Sequence, residues 1–503
     1  MKKYFLLLLA GIAVPSIQAQ ETTPDDAIRL AVDNLTGTAR FRAMSGAFGS
    51  LGGDLSAINV NPAGSIFFNN NYATITGSVY NAKNKSRYFG TSTNDNDNTL
   101  DINQLGAVFI FKESGSGKTG WNKIAIGINY ENANNLNNSV FSAGTNPNNS
   151  IGNYFVNIAQ GIPTNVLTDF NFNQLNFYEQ QAFLGYDTYI FEATNNTPNN
   201  TSYYTNIPTG GNYYQENQVL TTGYNGKLTG NFSAAYKDKI FLGGSLNYHF
   251  VNIDKTFSIY ERNNNPLYDT GSTISEILFE NRLWTTGSGF SFNLGAIVKP
   301  IESVRVGLAY ESPTWFRLTD ELQQGVSTRS LNNQDGIEFP FSYQNSVVYL
   351  PYTVQTPGKW TGSLSYIFGK KGLLSADVST KNYSALRFKP KNDPGFADLN
   401  NFMSNALDNA IEVRIGGEYR IKQVSLRAGY RFEESPYKVD QAFGDLTGYS
   451  GGIGYNFGES RIDLAYSYDH RNRNQALISS GMTDPARVSR YNNNITFSYS
   501  VNF

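Results

Sequence analysis

The last stretch of the chain alternates residue by residue. Ile495, Phe497, Tyr499, Val501 and Phe503 share one parity, and Thr496, Ser498, Ser500 and Asn502 share the other. An extended strand sends two such sets to opposite faces. The same period recurs in fourteen segments, at 71–80, 101–112, 122–132, 226–237, 239–252, 285–299, 303–314, 357–368, 372–382, 410–421, 424–434, 447–457, 461–471 and 493–503. In one of them Ile124, Ile126, Ile128 and Tyr130 alternate with Lys123, Ala125, Gly127 and Asn129. In another Val424, Leu426, Ala428, Tyr430 and Phe432 alternate with Ser425, Arg427, Gly429 and Arg431. Most segments reach the nine to eleven residues that a tilted strand needs to cross a bilayer.

Alternation also fits a soluble sandwich, so the connections have to decide. Those after even-numbered segments are short, such as Asp238, Pro300–Glu302 and Lys422–Gln423. Those after odd-numbered segments are mostly longer, and the longest spans 133–225. Sorting of loops by parity places all long loops on one side, as in an outer-membrane barrel with short periplasmic turns. A sandwich has no reason to do this. The expected fold is therefore all-β, a 14-stranded antiparallel transmembrane β-barrel over 71–503. Trp121, Trp284, Trp315 and Trp360 fall at or near expected strand ends, where an interfacial girdle wants them. The final strand, ending on Phe503, resembles the closing strand of bacterial outer-membrane barrels, which implies reading by the barrel-assembly machinery.

Composition and the N-terminus agree. Lys2 and Lys3 precede an apolar run from Tyr4 to Val14, and Ile17-Gln18-Ala19 resembles a cleavage site, so 1–19 is expected to be a signal peptide. That run is too short for a spanning helix. The chain holds no Cys, which removes disulfides and thiolate metal sites, and its net charge of −2 argues against a nucleic-acid partner. Aromatic residues make up 14% of a chain whose mean hydropathy is only −0.38, the mixture expected of half-apolar strands, polar loops and aromatic girdles.

Residues 20–70 do not alternate. Thr23-Pro24-Asp25-Asp26 reads as a helix start, with Thr23 as N-cap, Pro24 at the first position and Ala27 to Asn34 as the helix. A small-residue stretch follows from Ala43 to Gly53, and Asp54 is expected to cap a second short helix ending at Asn61-Pro62-Ala63-Gly64. Small residues permit close packing, so this segment is expected to plug the barrel. In the long loop, Ile151, Tyr154, Phe155, Ile158 and Ile162 fall at helical spacing. An aromatic run holds Phe177, Tyr178, Phe183, Tyr186, Tyr189 and Phe191. A loop this long with apolar faces of its own is functional or packs as a cap.

These N-terminal motifs, Arg42-Ala43-Met44-Ser45-Gly46-Ala47, Asp54 to Ala57 and Asn61-Pro62-Ala63-Gly64, resemble the hatch of the FadL/TodX family of outer-membrane hydrophobic-compound transporters. Thr356-Pro357, Ala376-Asp377, Arg414 to Arg420, Leu426 to Tyr430 and Glu434-Ser435-Pro436 resemble that family's later strands. The resemblance implies a fourteen-stranded barrel plugged by an N-terminal hatch. It also implies a monomer in the outer membrane that passively takes up hydrophobic small molecules such as long-chain fatty acids. Capture would fall to the aromatic run of the long loop, and the hatch motif Asn61–Gly64, or a gap in the wall at the third strand, would release the ligand.

Other chemistry finds little support. The two histidines, His249 and His470, lie in different strands, and Ser467 and Asp469 beside His470 read as strand-end polarity rather than a hydrolase site. No enzyme and no cofactor is expected. Inward Glu412, Arg414, Glu418 and Arg420, with Arg427 and Arg431 one strand on, read either as a cross-strand ladder or as a ladder with one Arg left for a carboxylate head group. Arg427 and Arg431 are the head-group candidates. Two other readings stay open: a structural barrel of a secretion complex, and a nonspecific or haem-related porin using His249 or His470.

Overall fold

The computed structural model describes residues 23–112, 120–269, 272–332, 338–439, 442–478 and 480–503. The expected signal peptide lies outside them. Fourteen strands form the wall: β1 (Tyr72–Tyr88), β2 (Thr91–Lys112), β3 (Trp121–Asn135), β4 (Tyr213–Tyr236), β5 (Ile240–Asn263), β6 (Ser272–Ile301), β7 (Val304–Glu311), β8 (Lys359–Ile367), β9 (Gly372–Asn382), β10 (Asn409–Ile421), β11 (Val424–Glu433), β12 (Phe443–Asn456), β13 (Ser460–Ala476) and β14 (Pro485–Asn502). Each pairs antiparallel with its neighbours, and β14 returns to β1 from Tyr72↔Asn502 to Arg87↔Arg487, closing the barrel.

Period 2 dictates the two faces. Ile495, Phe497 and Tyr499 point outward and are exposed, whereas Thr496, Ser498 and Ser500 are buried in the lumen. Phe503 sits at the seam, its ring edge-on to Phe109 at 6.1 Å.

The strands run further than alternation of apolar residues predicts. The outer connection from β1 to β2 is not a long loop but the two-residue turn Phe89-Gly90. Beyond β7 the chain continues as Trp315–Asn332, paired with β6, and Glu338–Val348 returns along it. These extensions stand above the apolar band, where water bathes the outer face and removes the apolar signal. Trp284 consequently lies in the middle of β6, bonded to Asn252, and not at a strand end.

The N-terminal segment fills the lumen. It comprises α1 (Pro24–Ala31), α2 (Ala39–Ala43) and two 3-10 turns, Ser56–Asn59 and Pro62–Phe67. Thr23 and Asp26 form the capping box of α1, with Thr23 N donating to Asp26 Oδ2 at 3.0 Å. The helix stops at Ala31, short of the expected Asn34. The turn after Asp54 stops just short of Asn61, as expected, and Asn61 also starts the next turn, its Oδ1 accepting from Ala63 N at 3.1 Å.

The long connection carries α3 (Gly152–Ala159), α4 (Thr164–Asp169) and α5 (Phe177–Asp187), with a small hairpin of Phe191–Ala193 and Tyr203–Thr205. Phe155, Leu184 and Phe191 are fully buried there, against Ile259 of β5 and Phe279 of β6. This loop is a packed cap over one side of the mouth.

Candidate functional site

The ladder between β2 and β3 is incomplete. Its rungs run from Lys112↔Lys123 up to Gln104↔Glu131 and end there. Above that point Thr91–Ile102 pairs with β1 alone, while Asn134, Asn135 and the continuation Asn138–Asn146 pair with β4 alone. The register shift between Asn132 and Asn134 is the local cause, since a bulge bends its strand. The continuation leans behind the β1–β2 hairpin, where Asn84 Nδ2 donates to Asn138 Oδ1 at 2.9 Å and Ser86 meets Ser142 at 2.6 Å. Among the described residues, no backbone ladder crosses the interruption. Asn132 donates to Asp101, and Asn137 Nδ2 donates to Thr99 Oγ1 at 3.1 Å.

Behind this interruption lies a cavity of about 180 Å³, bounded by α1, the bent part of β3 and the inner faces of β1, β13 and β14. Ile28, Val32, Leu35 and Leu446 supply apolar surface, and Arg471, Arg473 and Arg490 line the opposite side. Among the described residues, neither Arg473 nor Arg490 has a carboxylate at ion-pair distance, and the Nε of Arg490 donates only to Asn492 Oδ1 at 3.0 Å. Arg471 reaches Glu433 at 3.4 Å. Sequence reading missed this group by concentrating on the tenth and eleventh strands. The available signal was parity: Arg471 and Arg473 share the inward set of Ser467, and Arg490 that of Asn494.

Arg427 and Arg431 stand in the ladder. Arg427 pairs with Glu418 at 2.7 Å and with Asp463 at 2.9 Å. Arg431 pairs with Glu412 at 2.6 Å and Glu433 at 2.7 Å, and also lines the cavity. Arg40 of the plug joins the same network through Glu418 at 2.9 Å.

The motif Asn61-Pro62-Ala63-Gly64 sits away from the cavity, wedged against the wall. Asn61 Nδ2 donates to Gly49 O at 2.7 Å and to Ala296 O of β6 at 3.2 Å, while Asn231 of β4 donates to Pro62 O at 3.0 Å. Wall glycines make room for it. A Cβ on Gly243 would lie 2.5 Å from Ala63 N, and one on Gly295 would lie 2.0 Å from Asn61 Oδ1.

Of the aromatic run, Phe191 is core and Phe177 is buried against Leu283, Leu322 and Tyr349. Phe183 and Tyr186 are half-buried, whereas Tyr178 (56%) and Tyr189 (49%) face solvent. The histidines lie on opposite faces of the wall. His249 is inward, its Nε2 3.0 Å from Ser291 Oγ, and His470 is outward, stacked on Tyr491 at 4.6 Å. Ser467 and Asp469 point inward, away from His470, so these three cannot act together.

Residues 189–502 match the family model described as outer membrane protein transport protein (OMPP1/FadL/TodX). The chain belongs to this family. Its barrel is similar to that of a Pseudomonas aeruginosa FadL homologue, with 14% identity, 94% of this chain and 100% of that chain covered, and a TM-score of 0.54. It is also similar to the Pseudomonas putida toluene transporter TodX, at 15% identity, 93% and 99% coverage, and a TM-score of 0.50. No curated protein matches the sequence. Membership of the FadL/TodX family places the chain in the outer membrane as a passive channel for hydrophobic compounds rather than an enzyme.

Proposed function

We propose that this FadL/TodX-family channel carries single-chain amphiphiles with an anionic head, long-chain fatty acids or close analogues, and holds them in the cavity between α1 and the interrupted wall. The observation that carries this reading is the pairing of an apolar floor (Ile28, Val32, Leu35) with Arg473 and Arg490, which have no carboxylate partner among the described residues. A guanidinium is suited to bidentate recognition of a carboxylate. Each buried CH₂ contributes roughly 0.8 kcal/mol, so a chain of a dozen or more carbons needs little further polar recognition.

In this reading Tyr178 and Tyr189 on the cap make the first contact. The head group then passes to Arg473 and Arg490, with Arg431 behind them. The ligand leaves sideways where the β2–β3 ladder stops, or downward if the plug around Asn61–Gly64 shifts. No energy source is needed. The chain works as a monomer and enters the membrane through an assembly machinery that reads the strand ending at Phe503.

Native mass spectrometry of the detergent-purified barrel, with lipid extraction, tests this. Wild type should retain a fatty acid that Arg473→Gln/Arg490→Gln loses. Retention of a neutral hydrocarbon, unchanged in that variant, would overturn the anionic-head reading.

A further inference from the structure

Above the lipid-facing row of β1, Lys83, Lys85 and Arg87 point outward on alternate positions and are exposed. The neighbouring outward position on β14 is Arg487, and the register sets it directly opposite Arg87. Like charges facing each other across a ladder destabilise it. None of the four cations forms an ion pair with any described residue. The outward positions on either side are neutral: Ser92, Asn94 and Asn96 on β2, and Asn472 and Asn474 on β13. Between β5 and β6, by contrast, an outward cation is paired, where Arg282 meets Asp254 at 2.6 Å.

Height identifies what comes to this face. Lys83 lies eleven residues along β1 from Tyr72. At about 3.3 Å per residue and a tilt near 45°, that is about 25 Å above the periplasmic rim, the height of an outer-membrane apolar band. The same strands present Ile75, Val79, Ile495 and Phe497 to lipid just below. Acyl chains on that row would carry their head group to the four cations. Aromatic faces complete the surface, with Lys85 Nζ over the Tyr491 ring at 5.4 Å and His470 stacked on the same ring. Cations suit phosphate, and ring faces with Asn amides suit sugar.

We infer that Lys83, Lys85, Arg87 and Arg487 form a docking site for the phosphorylated sugar head group of an outer-leaflet glycolipid of the lipid A type. The site is independent of the transported ligand, since it lies on the opposite face of the wall from the cavity. It would hold one lipid beside the β2–β3 interruption.

The test is native mass spectrometry of the full barrel in detergent, mixed with phosphorylated lipid A or with the same lipid after phosphatase treatment. Wild type should retain phosphorylated lipid A at least tenfold better than the dephosphorylated form, and K83Q/K85Q/R87Q/R487Q should lose that preference. Equal retention of both lipids by wild type, or unchanged retention by the variant, would overturn the site. Displacement by millimolar inorganic phosphate would overturn the lipid assignment. If the variant fails to fold, wild type is compared at 50 and 300 mM NaCl, and retention that does not fall with salt rejects the proposal.

Discussion

Asp33 of the plug meets Lys381 of β9 with Oδ1 2.9 Å from Nζ, and its other oxygen lies 2.6 Å from Lys359 of β8. Burial alone would raise the Asp33 pKa, but the two ammonium groups outweigh it and hold the carboxyl well below its usual range. Asp26 is likewise lowered to about 2, where burial is outweighed by Lys255 and Arg29. A depressed carboxyl stabilises the docked plug above its unfolded pKa, near 4, and the contribution disappears as pH falls through the folded value. The plug's N-terminal part should therefore loosen between about pH 4 and pH 2, and stay put at pH 5 to 8. The chain has no other thiol, so a spin label on Asp25→Cys reports this directly. Asp33→Asn should mobilise the label at pH 7, at a cost on the order of 2 kcal/mol, below that of a fully buried pair because Asp33 is partly exposed. An immobile label in that variant would show that the pairs do not hold the plug.

The seat of Asn61–Gly64 gives a second prediction. Asn61→Ala removes donors to Gly49 O and Ala296 O and the cap on Ala63 N. At about 1 kcal/mol for each bond the loss is about 3 kcal/mol. Gly243→Ala should act similarly for a steric reason, because its Cβ would press on the backbone of Pro62 and Ala63. Both variants should keep the barrel, seen as heat-modifiable mobility on gels, and show faster hydrogen exchange in residues 48–67. Unchanged exchange in both would mean that this contact does not anchor the plug.

The fold was legible where two solvents enforce the pattern. Ile495 to Phe503 and Val424 to Phe432 alternate because lipid lies on one side and the wet lumen on the other. Lys83 to Arg87 and Asn94 to Asn98 are strand too, but water lies outside them, so no apolar row marks them. The helix α5 escaped notice because Phe177, Tyr178, Phe183 and Tyr186 surround it and leave no single apolar face. The stop at Asn61 was legible but the turn that Asn61 starts was not, since Asn before Pro suits both the end of one turn and the cap of the next. The cavity could not be read at all. It joins α1 to β13 and β14, which lie over 400 residues apart, and only barrel closure brings them together.

The cap separates packing from capture. Phe155 is fully buried and packs edge-on to Phe279 at 5.4 Å. Phe155→Ala should destabilise the cap by about 3–5 kcal/mol and open it to proteolysis. Tyr178→Ala and Tyr189→Ala remove exposed rings and should leave proteolysis unchanged while slowing ligand uptake several-fold. If uptake is unaffected in the double variant, capture does not run over this face of the cap.

The interruption between β2 and β3 is testable by closing it. Asp101 and Asn132 lie just above the last rung, Gln104↔Glu131, three residues and one residue further along their strands, and Asn132 donates to Asp101. A thiol pair at these positions, Asp101→Cys/Asn132→Cys, would be the only thiols in the chain, so a short bifunctional thiol reagent would join these strands and no others. The ladder below stays intact and the plug is untouched, so stability should not fall. If the ligand leaves through the wall, cross-linking should abolish uptake of a labelled fatty acid in cells, and a cleavable reagent should restore it on reduction. Uptake that survives complete cross-linking would instead send the ligand past the plug. The variants at Asn61 and Gly243 should then raise the rate, where lateral exit would leave it unchanged.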